Sequence, residues 1–248
     1  RLIDASGKAI PGLQFEEKSI ERGIAKVITN TTPEHTYVTP EMLISEELDK
    51  PATEIQRANL LVFRSTVRSG IEKQSKAIAD LRAALVLSKD NANIWFTLAE
   101  SCLSSGYLPE VEAKNRAREA VDTALKIQQN HIPALLLRAE LLARDDRMEE
   151  SLQVLKACEK LSPNLFLIQR QMASVFRRLN WNSEKLKALR SAVSGAPNKA
   201  ELHLEFARES RQVNDFDTQS RHLELAAGID ASNRMISSER EQIWHSTG

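Results

Sequence analysis

The chain has 248 residues, and its 34 Lys and Arg are balanced by 34 Asp and Glu, so its formal net charge is zero. The hydrophobic share of 42% is enough for a sizeable core and excludes a wholly disordered chain. Neutrality argues against general binding of a phosphate backbone, which needs a basic excess, and eight Gly with eight Pro are few for an all-β chain full of tight turns.

No run approaches the roughly 18 consecutive apolar residues of a transmembrane helix, so no membrane span is expected. The chain starts at Arg1 rather than Met and shows no charged-then-apolar leader. It is therefore read as a processed or trimmed, soluble chain, cytoplasmic, or periplasmic or secreted after loss of an N-terminal segment. The only cysteines, Cys102 and Cys158, fall on the apolar faces of expected helices. They read as small buried side chains rather than as a disulfide or a ligand pair.

Residues 1–57 form an N-terminal segment of their own. Leu2-Ile3, Ser6-Gly7-Lys8 and Ala9-Ile10-Pro11-Gly12 predict a short extended or hairpin piece. Ile20, Ile24, Val27 and Ile28 predict a short amphipathic helix from about Glu16, broken by Thr29 to Pro33. Thr39-Pro40 caps and starts a second short helix through Leu48, with Pro in its first turn. Glu41, Glu46, Glu47, Asp49 and Glu54 make this stretch acidic against a single Lys50, and Met42, Leu43, Ile44 and Leu48 are interleaved with them. Helices this short cannot bury their own apolar faces and must dock on something. Packing beside the first helical pair is expected, with a partner chain as the alternative.

From about residue 58 the sequence repeats. Ala139, Ala173 and Ala207 are spaced by 34, as are Leu155, Leu189 and Leu223, and Cys158, Ala192 and Ala226. Ser65 and Ala99 keep the same step, whereas Ala99 to Ala139 and Ala84 to Ala124 are 40 apart, which one insertion of six residues explains. The insertion falls within Pro109 to Ala124, where a second helix longer by about one and a half turns would hold it. Within each period the apolar residues follow the i, i+3, i+4, i+7 spacing of an amphipathic helix, as in Leu152, Leu155, Cys158 and Leu161. Asn180-Trp181-Asn182-Ser183 and Asn214-Asp215 lie where a turn is required, because Asn tolerates left-handed backbone angles. Pro163 and Pro197 end periods. The small residues let crossing helices approach closely.

This pattern resembles the tetratricopeptide repeat (TPR) family, whose units carry small residues at their eighth, twentieth and twenty-seventh positions and a Pro near the end. The resemblance implies an all-α, right-handed superhelical solenoid of five units at 58–91, 92–131, 132–165, 166–199 and 200–233, followed by a capping helix over 234–248. Lys185 and Gln219 depart from it at the twentieth position, and Asn replaces the usual turn Gly. The first helix of each unit is then expected to line a concave binding face. Carried over position by position, that face is apolar at Val62, Phe96, Leu103 and Leu136. Further along it is basic, at Arg144, Arg170, Arg177, Arg178, Arg208 and Arg211, with Glu201 as an acidic exception. The arginine fork suits carboxylates and phosphates, so a partner segment with an apolar part and an acidic part would be complementary. An ordinary solvated surface is the competing reading of the same arginines.

No phosphate-cradling glycine loop, His-Glu-x-x-His, Cys-x-x-Cys or Gly-x-Ser-x-Gly pattern occurs. No enzyme, cofactor or metal site is expected, and His203 with His222 in the last unit reads as a neighbouring pair rather than a metal site. The expected role is a non-enzymatic scaffold or adaptor for a protein or peptide partner. A regulatory or targeting portion of a larger enzyme or sensor is the alternative. RNA binding is disfavoured by neutrality and by the lack of stacking aromatics between the arginines. Partner identity and oligomeric state stay open.

Overall fold

The computed structural model describes residues 39–69, 73–104 and 108–247, the last six of these by their backbone only. The expected extended piece and the helix from about Glu16 lie outside the described residues. Those described form twelve α-helices and no strand. A short leading helix, α1 (Pro40–Leu48), precedes five helical hairpins: α2 (Glu54–Ser69) with α3 (Gln74–Leu87), α4 (Ala92–Leu103) with α5 (Glu110–Ile127), α6 (Ile132–Arg144) with α7 (Met148–Leu161), α8 (Phe166–Arg178) with α9 (Asn182–Gly195), and α10 (Ala200–Gln212) with α11 (Phe216–Ile229). The final helix is α12 (Arg234–Thr247). The chain divides into two compact bodies, one up to Ala134 and the other from Leu135.

The hairpins exist because the period places small side chains where helices cross. Ser65 and Ala99 in the first helices, and Ala84 and Ala124 in the second, expose at most 2% of their surface in the first body. So do Ala139, Ala173, Ala207, Cys158, Ala192 and Ala226 in the second, together with Leu155, Leu189 and Leu223. A bulkier residue at such a crossing would force the axes apart. Each helix packs on its sequence neighbours, α2 on α3, α4 on α5, α8 on α9 and α10 on α11, with α3 on α4 and α9 on α10 joining successive hairpins. The buried Ser151 hydroxyl donates to the Ala139 carbonyl at 2.7 Å, tying α7 to α6 without leaving a polar orphan.

Three inter-helix turns repeat the same backbone device. Asp146, Asn180 and Asn214 have φ of 63°, 58° and 61°, the left-handed conformation that Asn and Asp tolerate better than most residues. The next amide closes back on the helix, Arg147 N to Leu142 O at 3.0 Å, Trp181 N to Phe176 O at 2.9 Å and Asp215 N to Ser210 O at 3.0 Å. These bonds satisfy carbonyls that the helix end would otherwise leave open.

The insertion is shared between helix and loop. α5 has 18 residues against 14 in each of α3, α7, α9 and α11, about one turn more. The rest of the insertion lengthens the connection between Leu103 and Glu110, so the helix is shorter than expected. Helix α1 begins as its sequence implies: Thr39 Oγ1 accepts the Met42 amide and Pro40 occupies the first turn. At the other end Ile236 of α12 is buried against Ala200, Leu204, Ala207 and Leu223, closing the last hairpin. Met235 beside it is exposed, and Glu239 pairs with Arg208 of α10. No helix among the described residues is long and apolar enough to cross a membrane. Cys102 and Cys158 are buried and form no disulfide, and burial pushes the pKa of both up.

Candidate functional site

In the first body, the expected apolar positions are the half-buried Val62 on α2 and Phe96 and Leu103 on α4. The Val62 carbonyl accepts from the Ser65 hydroxyl at 2.6 Å and the Thr66 hydroxyl at 2.9 Å. Phe96 lies against the His131 ring, centroids 5.7 Å apart. His131 is fixed in one neutral tautomer: its Nδ1 accepts the Ala134 amide at 3.1 Å, so its Nε2 donates to Asn93 Oδ1 at 2.9 Å. Burial pushes its pKa down. The sequence pattern does not single out His131. Its position directly before a helix, where a side-chain acceptor caps, is the signal that marks it.

The second body holds the remaining positions. Leu136 is only 8% exposed and packs into the core. The arginines of α8 and α10 reach the surface, and carboxylates meet most of them. Arg170 Nε donates to Glu205 Oε2 at 2.8 Å and Arg177 Nη2 to Glu205 Oε1 at 2.9 Å, so one carboxylate of α10 is held by two guanidinium groups of α8. Arg177 Nε also lies 2.6 Å from Glu209 Oε1, whose other oxygen is 2.6 Å from Lys185 Nζ. Burial opposes charge on Arg177, but its hydrogen bond to Glu205 and the field of Glu209 outweigh that, and its pKa rises.

Lys185 is 1% exposed. It stands at a position where the repeat usually has a small residue, and its ammonium reaches Glu209 and Asn182 Oδ1, the latter at 3.0 Å. A buried Lys is tolerated only when so paired. Arg208 Nε donates to Glu239 Oε1 of α12 at 2.8 Å. Arg178 bonds the Ala143 carbonyl and Asp146, the latter at 3.1 Å, and Arg144 bonds Glu140 on its own helix at 2.6 Å. Arg211 is exposed at the end of α10.

The arginine stripe is thus an ion-pair lattice rather than a bare cationic strip. Glu205, Glu209, Glu239 and Asp146 are the residues sequence reasoning missed. Their signal is spacing: the partners of Arg170, Arg177, Arg178 and Arg208 stand 28 to 35 residues away, about one period. Stacked hairpins bring such positions side by side. In the core of the lattice Arg170, Arg177 and Lys185 face two carboxylates, leaving one positive charge over.

No group of three or more His, Cys, Asp and Glu able to hold a metal ion occurs among the described residues. His203 and His222 form a stacked pair, Nδ1 to Nδ1 at 2.8 Å.

No protein-family model matches the sequence, and no curated protein does either. Solved structures do. PilF of Pseudomonas aeruginosa superposes with a TM-score of 0.61 at 16% identity, over 72% of this chain and 79% of its own. A thermophilic TPR protein of Thermus thermophilus gives 0.61 at 14% identity, over 75% and 97%. MamA of Desulfovibrio magneticus RS-1, residues 41 to the end, gives 0.55 at 17% identity, over 71% and 97%. The fold is TPR-like. At these identities the likeness speaks for the fold, and the helical hairpins with their buried small residues are the TPR-like feature of the chain.

Proposed function

We propose that this chain is a non-enzymatic protein-binding scaffold of the TPR family, built from five units (58–91, 92–131, 132–165, 166–199 and 200–233), which takes a partner segment on the faces of its first helices. The first body offers Val62, Phe96 and Leu103 to an apolar part of a partner. The second offers the α8 and α10 arginines to an acidic part. The observation that carries this reading is the double grip of Arg170 and Arg177 on Glu205. It gives the geometry in which this face holds a carboxylate, and two forks on one carboxylate are among the stronger polar contacts available to a surface. A partner carboxylate enters by competing with an internal one, so binding is selective and salt-sensitive rather than broadly cationic. A rigid repeat face also costs little ordering on binding.

The test is a peptide-display selection followed by two exposed reversals, Arg170→Glu and Arg178→Glu. Arg177 is spared because its Glu209 contact is part of the buried network. The expected result is enrichment of acidic–apolar peptides whose binding the double variant loses by about tenfold or more, with unchanged helical circular dichroism. Selected peptides that bind the double variant as tightly as the parent would place the site elsewhere.

A further inference from the structure

The first body carries a groove outside the faces just described. It lies between α3, α4 and α5, has a volume of about 500 Å³, and is floored by Leu85, Leu98, Cys102 and Ala120. The Trp95 indole forms one wall and is held in place because its Nε1–H donates to the Lys89 carbonyl at 2.8 Å. Val86 at the rim is 84% exposed, an uncovered β-branched side chain beside an apolar floor.

The charges at the rim are not neutralised in the way those of the second body are. Arg82 has no carboxylate partner among the described residues, while Arg116 bonds Glu112 on its own helix at 2.5 Å. Both guanidinium groups are close enough to the groove floor to act on the Cys102 thiol. The notch between hairpins recurs in the second body, between α7, α8 and α9, but there Glu159, Asn164, Gln169, Arg190 and Ser194 stand beside Phe166 and the lining is mostly polar. Stacked hairpins therefore make the notch, and each holds arginine; the apolar floor of Leu85, Leu98, Cys102 and Ala120 belongs to the first of the two.

We propose that this groove docks a protein segment in which a Leu- or Phe-sized side chain stands next to one acidic residue. The apolar side chain covers Trp95, Leu98 and Val86, and the carboxylate takes the open fork of Arg82 with Arg116 beside it. Glu119 shares the rim, so a segment acidic along its whole length is repelled and a single acid beside the apolar residue is preferred. Apolar area removed from water supplies the affinity, and the arginine selects the partner.

The experiment uses the full chain carrying Trp181→Phe and Trp244→Phe, so that Trp95 is the only tryptophan and is excited selectively. The probe is an N-acetylated, C-amidated Gly/Ser peptide with a central Phe-Glu pair, compared with Phe-Gln and Ala-Glu versions. A saturable change in Trp95 emission is expected with the Phe-Glu peptide, weakened about tenfold with either control and about tenfold by Arg82→Glu. Val86→Ser, an exposed change that spares the core, should weaken it as well. Arg170→Glu with Arg178→Glu should leave it unchanged, which separates this groove from the face proposed above. Equal binding of the three peptides, or an Arg82→Glu chain that binds like the parent, would overturn the proposal. So would octanoate saturating the signal as tightly as the peptide, or self-association that Arg82→Glu abolishes, since each would put another occupant in the groove.

Discussion

His222 shows how one side chain couples this fold to pH. His203 Nε2 faces the Pro197 carbonyl at 2.9 Å and must donate to it, so its Nδ1 accepts the proton that His222 Nδ1 carries. Phe206 covers the His222 ring at 4.5 Å. Burial first, then His203, Arg221 and Arg190, push the His222 pKa from its ordinary 6.5 to about 4. The unfolded chain therefore binds a proton that the folded chain refuses. Stability is complete above about pH 6.5 and falls as pH drops from there towards about 4, by about 2 kcal/mol for a half-buried ring. Urea unfolding of the parent between about pH 7 and 4.5 should show this loss, and His222→Gln should flatten the difference over that window. Parallel slopes for the two chains would remove His222 as the cause. Carboxylate losses belong lower: Lys73, then Arg68, hold Glu41 below the usual range, so its contribution disappears only as pH falls below about 4.5.

At the scale of an element, α1 is the informative case. Its acidic, apolar character called for docking, and Ile44 is buried while Glu41 pairs with Arg68 at 3.0 Å and Lys73 at 2.6 Å. Arg68 and Arg64 share Asp80 of α3, and Arg64 also donates to Ser45 of α1 at 3.2 Å, so one small network clamps three helices. The segment thus sits beside the first hairpin. Deleting residues 1–50 removes a buried Ile and leaves Arg68 one carboxylate short, which should lower the melting temperature by about 5 °C. An unchanged melting curve would mean the contacts add nothing to stability. The helix start was readable in the chain because Thr39 and Pro40 act on their own neighbours. Its partners were not readable, because Arg64, Arg68 and Asp80 approach it only through the fold.

Across the molecule, packing among the described residues is mostly between helices adjacent in sequence: α10 meets α9 and α11, and α12 meets α11 and the buried α10 residues Ala200, Leu204 and Ala207. Stability of such stacks is close to a sum of local terms. Introducing a charge at the buried Leu223 should therefore release α10 to α12 while α2 to α5 keep their amide protection, as hydrogen exchange on Leu223→Asp would report. Uniform loss of protection from α2 to α12 would show that the chain unfolds as one unit.

The period of small and apolar residues was enough to specify helical hairpins and the tight turns at Asn180 and Asn214, since helix amphipathicity and left-handed turns follow from residues near each other in the chain. Which arginines stay open and which are matched by Glu205, Glu209 or Glu239 had to wait for the folded chain. So did the burial of Leu136 and Lys185 and the exposure of Val86. Charge pairing and exposure depend on what an adjacent helix brings alongside, and that neighbour lies about one repeat away along the backbone.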